Sequence, residues 1–238
     1  MFNTRSVVGK RAREEAEKPF WISFADLMSA LMVLFLLVMS VALLAVTKNV
    51  TDAERRSAER EQQVAEVLGR MGKAASRFPG ITVDEVRSII DFGDRARFET
   101  GSSQLSKEQA NALRLFVPEV LAVARDDLGR KWLKRIVVEG FADQRGDYLL
   151  NLDLSLKRSQ RVLCALLAPT AANERALTAQ EREQVRDLFL VGGYSFNSAK
   201  KSFEESRRIE LRLEFLRVDE MRPAADEAQR GDFGVCRI

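Results

Sequence analysis

The chain has 238 residues, with 38 Lys and Arg against 35 Asp and Glu, for a formal net charge of +3. That near balance supplies no basic block for nucleic acid, and the lack of any histidine excludes imidazole catalysis and metal sites that need His ligands. The length suffices for one membrane helix and one globular domain of about 150 residues.

Residues 1–18 are polar and of mixed charge and read as a short cytoplasmic tail. Pro19 stands where the first turn of a helix tolerates proline, and Trp21 suits an interfacial aromatic anchor. Phe20 to Val46 is a long apolar run in which Asp26 is the only ionisable residue. From Leu27 to Thr47 there are 21 consecutive residues without a charge, enough to span a bilayer core as one helix. A single transmembrane helix is expected over 19–47. The run is too long and uniform for a signal-peptide core, and no small-x-small cleavage pattern precedes the charged stretch Lys48 to Glu61, so the helix reads as an uncleaved anchor with membrane lipid around it. Five basic residues precede it (Arg5, Lys10, Arg11, Arg13, Lys18) and four follow (Lys48, Arg55, Arg56, Arg60), which favours a cytoplasmic N-terminus.

A carboxylate inside such a helix is costly and by default marks ion or proton handling. Asp26, Ser29 or Ala30, Val33, Leu37 and Ser40 fall on one stripe at helical spacing. Small and polar residues on one face favour close packing inside a bundle, which points Asp26 at protein rather than lipid. A carboxyl that switches charge within a sealed bundle can carry a proton across it. The alternative is an aspartate that snorkels or caps, since Asp26 lies only roughly 9 Å of helix inside the run.

Residues 48–80 are charged, with Val64, Val67, Leu68 and Met71 at helical spacing and a break at Phe78-Pro79-Gly80. They read as a periplasmic linker, helical in part and ending at Pro79. From Ile81 the composition becomes that of an α/β domain, expected over 81–218. Val83–Phe92 and Arg95–Phe98 read as short strands. Ser106 to Gln109 forms a capping-box pattern, followed by Ala110, Leu113, Val117, Val120 and Ala124 at helical spacing, with Pro118 expected to bend or limit that helix. Arg135–Glu139 reads as a buried strand and 153–167 as a second helix. Thr178 with Glu181 caps a short helix. Leu188–Val191 is a strand ending in Gly192-Gly193. Ile209, Leu211, Leu213 and Phe215 alternate with Glu210, Arg212 and Glu214, a half-buried strand. Strands alternating with helices imply a layered α/β (α+β) sandwich after the single membrane helix.

Residues 219–238 form a polar C-terminal tail. Cys236 lies near its end and Cys164 in the apolar stretch Val162 to Leu167. In a periplasmic domain the two can pair and pin the tail, stabilising by roughly 4 kcal/mol in the chain-entropy model; the other reading is two unpaired thiols, one buried as a small hydrophobe. No nucleophile–base pair, phosphate loop or metal cluster stands in the sequence, so neither an enzyme nor a cofactor is expected. Cys164 alone lacks a base to activate it.

Two resemblances sharpen this reading. Phe20 to Met32, with Ala25-Asp26-Leu27-Met28-Ser29-Ala30 at its centre, resembles the membrane segment of B-type stator subunits. In flagellar MotB proteins a similar motif holds the proton-carrying aspartate, which maps onto Asp26. That family implies a dimer of this chain inside a ring of five MotA-like subunits, with the N-terminus cytoplasmic in a bacterial inner membrane. Further on, Gly140-Phe141-Ala142-Asp143-x-x-Gly146 followed by Asn151, Leu154, Ser155, Arg158 and Val162 resembles the OmpA-like peptidoglycan-binding domain. There the aspartate and arginine hold the zwitterionic diaminopimelate of the stem peptide, and they map onto Asp143 and Arg158. Asn151 and Leu154 would line the same groove. Ala142 stands where the motif usually has threonine, and Leu150 where tyrosine often precedes the asparagine. Arg95 to Leu105 and Arg207-Arg208-Ile209-Glu210 match the domain's first and last segments.

Two systems share this layout, the flagellar motor and Zorya anti-phage defence. The segment Pro19 to Leu44, the compact size and the tail ending at Cys236 are more similar to the ZorB family, the B subunits of the ZorA–ZorB complex. That resemblance implies a proton-driven, wall-anchored membrane motor with ZorA subunits as partners. The alternatives are a flagellar stator subunit and a passive cell-wall tether.

Overall fold

A single long helix, α1, runs from Val8 to Ala75. It belongs to a computed structural model that describes residues 8–170, 174–222, 233, 234 and 236, with side chains from Trp21 onward. The expected cytoplasmic tail is helical over 8–18, and its first seven residues, like most of the C-terminal tail, lie outside the described ones. The chain divides into two units, one ending at Ser57 and one beginning at Ala58.

In the first unit the stretch of α1 from Trp21 is long and apolar enough to cross a membrane, with a mean hydropathy of 2.8 over its most apolar window. Its large side chains, among them Leu34, Phe35, Leu37 and Leu44, are exposed, as the surface of a helix built to meet lipid or other helices must be. Ser29, Ser40, Thr47 and Thr51 turn their hydroxyls onto carbonyls four residues back, at 2.7–2.9 Å. These four hydroxyls are thus satisfied within the helix.

The second unit is a five-stranded sheet covered by helices. Strands β1 (Thr82–Asp84), β2 (Ile89–Asp91), β3 (Leu133–Gly140), β4 (Phe189–Gly193) and β5 (Ile209–Phe215) lie in the order β1-β2-β5-β3-β4, antiparallel except for β3 and β4. Helices α2 (Lys107–Arg125), α3 (Asp127–Trp132), α4 (Tyr148–Leu167), α5 (Ala179–Leu188) and the short α6 (Phe203–Ser206) complete it. The period-two alternation of β5 does what its pattern demands. Ile209, Leu211 and Leu213 join Ile136 and Val138 of β3 in a core with Phe116, Val117, Val120 and Leu121 of α2 and Val162 and Leu166 of α4. The opposite face carries ion pairs between strands, Arg135 to Glu214 and Arg212 to Glu139. Both capping boxes form, at Ser106–Gln109 and Thr178–Glu181.

Three local expectations are corrected. Val83–Phe92 is a hairpin rather than one strand, because Asp84 accepts from the Arg87 backbone N–H and Ser88 takes a positive φ of 54° between β1 and β2. Arg95–Phe98 is not a strand: a 3-10 turn covers Gly93–Ala96 and extended backbone follows. Pro118 does not end its helix; α2 continues through it to Arg125. An interior proline costs about 3 kcal/mol, but Phe116, Val117, Val120 and Leu121, all buried around it, each return roughly 1.5–3 kcal/mol, so packing wins.

The end of α1 belongs to this unit. Val67, Leu68, Met71, Ala74 and Ala75 are buried, and Gln63 accepts from the Trp132 indole N–H at 2.7 Å. A turn at 76–80 then leads into β1, with Gly80 at φ 88°.

Candidate functional site

Asp26 lies on α1 one turn before the hydroxyl of Ser29 and immediately precedes the uncharged stretch described above. With Ser40, Thr47 and Thr51 it falls on one face of the helix. An acidic side chain thus sits at one end of a polar stripe that runs along the membrane-length apolar stretch of α1.

The second site is a cleft of about 440 Å³ in the second unit. Two glycines seat helix α4, which supplies one wall of the cleft, against the sheet. Gly140 ends β3 opposite Gly193 of β4, and a Cβ on either would collide with the backbone of α4 around Ser155 and Leu156. Lacking side chains, they let α4 lie directly on the sheet ends. Ser155 locks the junction by accepting from the Ser195 N–H at 3.0 Å. Beyond Gly140 the chain crosses Phe141 and Ala142, both buried, into the turn Asp143–Asp147, where Gly146 takes φ 93°. Asn151 closes that turn by donating from Nδ2 to the Arg145 carbonyl at 2.8 Å.

The structure brings Asp143, Asn151, Leu154 and Arg158 to the lining of this one cleft. Their states differ from simple exposed charges. Arg158 is fully buried. Its Nε donates to the carbonyl of Ser102, Nη1 to Phe141 and Nη2 to Glu99, at 2.9, 2.7 and 3.1 Å, and its guanidinium lies over the Phe98 ring. Burial, helped by the Arg207 charge and opposed by Asp143, brings it down to about 10, so it stays cationic at neutral pH. It therefore pins the 99–102 loop to the end of β3 and leaves a positive field under the cleft.

Asp143 is also buried. Its Oδ1 accepts from the backbone N–H and the Nε of Arg145 at 3.1 and 3.2 Å, and its Oδ2 from Arg145 Nη2 at 2.6 Å and Arg207 Nη1 at 3.2 Å. Hydrogen bonding from Arg145, ahead of the contribution of Arg207, holds the carboxyl at about 2, against the burial that would raise it. A depressed folded value stabilises the fold above the unfolded value of 3.8, and that stability is lost as pH falls through about 2. Because Arg145 is half exposed, about 1–2 kcal/mol is expected from this group. Urea unfolding followed from pH 5 to pH 2 should accordingly lose less stability in Asp143→Asn than in the parent chain. Equal slopes would show that Asp143 is not held in this way.

Two residues here were not singled out as site residues on the sequence. Arg207 stands in the sequence only as part of the last strand's motif, yet it bonds both Asp143 and the Phe98 carbonyl. Arg145 occupies an unassigned place in Asp-x-x-Gly. An arginine two residues beyond an aspartate in a tight turn is the signal that could have identified it. Outside the cleft, Cys164 on α4 and Cys236 are joined as a disulfide with Cα atoms 5.7 Å apart.

Comparison with known proteins follows the same division. The model of the OmpA family matches residues 97–194, and that described as "Membrane MotB of proton-channel complex MotA/MotB" matches residues 8–50. Over 228 residues the chain is 44% identical to the Zorya protein ZorB of Escherichia coli O139:H28 (strain E24377A / ETEC), a match that covers 95% of this chain and 93% of that relative. Among solved structures, the periplasmic domain of Helicobacter pylori MotB is 14% identical, with a TM-score of 0.42 over 61% of this chain and 85% of that one. A putative MotB-like protein from Desulfovibrio vulgaris is 16% identical, with a TM-score of 0.42 over 66% and 94%.

Proposed function

The chain belongs to the ZorB family, and from that premise we propose that it is the B-type subunit of a proton-driven, wall-anchored membrane complex in anti-phage defence. A MotB-like membrane segment and an OmpA-like domain on one chain give it a stator-and-anchor role. In the proposed assembly two copies sit within a ring of ZorA subunits, five by analogy with flagellar stators. The N-terminus is cytoplasmic and the sheet domain periplasmic, where an oxidising compartment would maintain the Cys164–Cys236 bond.

One observation carries the transport half of this reading: Asp26 is the sole ionisable residue in the apolar run Phe20 to Val46. Such a group costs up to about 2.5–3.5 kcal/mol on insertion scales, the value for a helix centre, and a passive anchor gains nothing from it. A proton taken up by Asp26 would remove its charge and with it an electrostatic interaction between helices, and release would restore it. The domain beyond the membrane must be fixed for such cycling to do work on neighbouring subunits. The cleft lined by Asp143, Asn151, Leu154 and Arg158 is the proposed grip on the peptidoglycan stem peptide.

The test is made in cells carrying the complete system. Asp26→Asn is expected to abolish phage resistance at unchanged protein level, while Asp26→Glu retains most of it. A passive tether would tolerate both, so full resistance in Asp26→Asn overturns the transport reading.

A further inference from the structure

The sheet domain closes its core without the end of the chain. Leu216 is the last buried residue among those described, and the apolar cluster ends with Leu213 and Phe215. Up to Arg222 the chain is still tied to the sheet, by the Lys134–Glu220 pair and by Arg222 Nη2, which donates to the Arg130 carbonyl at 2.8 Å. Further on, Phe233 and Cys236 lie half-buried. The Arg182 guanidinium of α5 stands 5.6 Å from the centre of the Phe233 ring. Arg161 Nη1 of α4 is 4.0 Å from the Cys236 sulfur, and Cys236 is bonded to Cys164 of the same helix. Among the described residues, one covalent bond and two weak contacts therefore hold this segment against α4 and α5.

The weak contacts do not suffice. A cation–π contact at a half-exposed site is worth less than ordering a single residue costs. The covered side chains also favour opening. Nε of Arg161 and Nε of Arg182 are buried without a hydrogen-bond partner among the described residues, and each such donor carries a desolvation cost that water would lift. A cross-link strengthens a fold by constraining the unfolded chain, and it does so in full only where both of its ends are fixed in the native state by other contacts. Cys164 meets that condition within α4. Cys236 does not.

We propose that the segment bearing Phe233 and Cys236 is a redox-latched strap, which a dithiol oxidoreductase opens while the domain stays folded. Arg161 sets the direction of the exchange. A guanidinium beside the Cys236 sulfur stabilises a thiolate there, which makes Cys236 the better leaving group. One thiolate of the reductant attacks the Cys164 sulfur and forms a mixed disulfide. The Cys164–Cys236 bond breaks with its electron pair on Cys236. The reductant's second thiolate then attacks the reductant's own sulfur in the mixed disulfide and releases Cys164 as a thiolate. The reductant is oxidised by two electrons to its disulfide, and its two protons end on Cys164 and Cys236. The face of α4 and α5 that carries Arg161 and Arg182 is then open to solvent. This device is independent of ligand binding in the cleft.

The full-length chain in detergent is treated with dithiothreitol and followed by hydrogen exchange, thiol alkylation and thermal unfolding. The peptide containing Phe233 and Cys236 is expected to exchange at least about 10-fold faster once reduced, while the domain's midpoint falls by less than about 6 °C. An ordinary staple between residues 72 apart in sequence would lower that midpoint by roughly 8–16 °C on reduction. Cys236→Ser, which cannot latch, should reproduce both results without reductant. Arg161→Gln should slow reduction of the folded chain by about 3- to 10-fold. An unchanged exchange rate in the reduced peptide overturns the proposal. So does a larger fall in the midpoint, or a bond that resists the reductant until the domain unfolds. Reduction of Arg161→Gln at the parent rate overturns the role given to Arg161.

Discussion

Gly140→Ala is expected to destabilise the OmpA-like domain by about 3 kcal/mol or more, at the upper end of overpacking costs. A Cβ at this position would stand 1.9 Å from the Ser155 carbonyl oxygen and 2.9 Å from its carbon, both backbone atoms of α4. No rotamer relieves such a contact. Restoring an ordinary separation requires α4 to move outward by roughly 1.5 Å. Gly193, paired with Gly140 across β3 and β4, faces the same turn of α4, so the helix cannot pivot over one strand and stay seated on the other. The movement would pull Ser155 from the Ser195 N–H and Arg158 from the carbonyls of Glu99, Ser102 and Phe141. Loss of sacculus binding should therefore accompany the lowered urea midpoint.

Gly69 and Gly72 serve as internal controls. Both lie in α1 with nothing within 4 Å of a built Cβ, so alanine there should raise stability by up to about 1 kcal/mol through helix propensity. A Gly140→Ala midpoint equal to that of the parent chain would show that α4 does not sit on the sheet as described.

The contrast between these glycines marks what the sequence can disclose. The Ile209–Phe215 alternation, the two capping boxes and the apolar run after Asp26 are local patterns, each fixed by residues within a turn or two of one another. All three were legible, as were the motif positions 143, 151, 154 and 158 that meet at one cleft. The missed features depend on partners distant along the chain. Arg207 acquires its role only because β5 lies beside β3, which carries it to Asp143, 64 residues away in sequence. Arg145 is held at the cleft because its Nη2 donates both to Asp143 and to Thr100, 45 residues away in sequence. Pro118 carries an intrinsic helix-breaking weight, but the core around Phe116 and Val120 outweighs it. The hairpin at Ser88 was missed for a different reason: a positive φ at a serine leaves no clear mark in composition.

A fragment beginning at Ile81 is expected to be unfolded or loosely folded, whereas one beginning at Ala58 unfolds cooperatively. Composition alone suggests a domain start at Ile81, but Leu68, Met71 and Ala75 belong to the same apolar cluster as Phe116, Val120 and Leu133. Val67, Leu68 and Met71 are 0%, 4% and 0% exposed, and at roughly 1.5–3 kcal/mol for each large side chain their burial contributes about 5–9 kcal/mol. Residual burial in the unfolded chain makes that an upper estimate, yet even half of it is a large share of the 5–15 kcal/mol that holds a typical domain together. Polar ties would be lost as well. Arg60 donates to the Leu216 carbonyl at 2.6 Å, Arg70 to Asp126 at 2.6 Å, and Gln63 accepts from Trp132. Removing Gln63 leaves the indole N–H of a buried tryptophan without that acceptor, at a cost of about 1–3 kcal/mol. Met71→Asp in the longer fragment isolates the apolar contribution, because it leaves those ties in place while introducing a charge into a fully buried position. Urea denaturation of the two fragments and this variant should rank them parent, then Met71→Asp, then the fragment from Ile81. A fragment from Ile81 with the same midpoint as that from Ala58 would show that the last turns of α1 rest on the domain without supporting it.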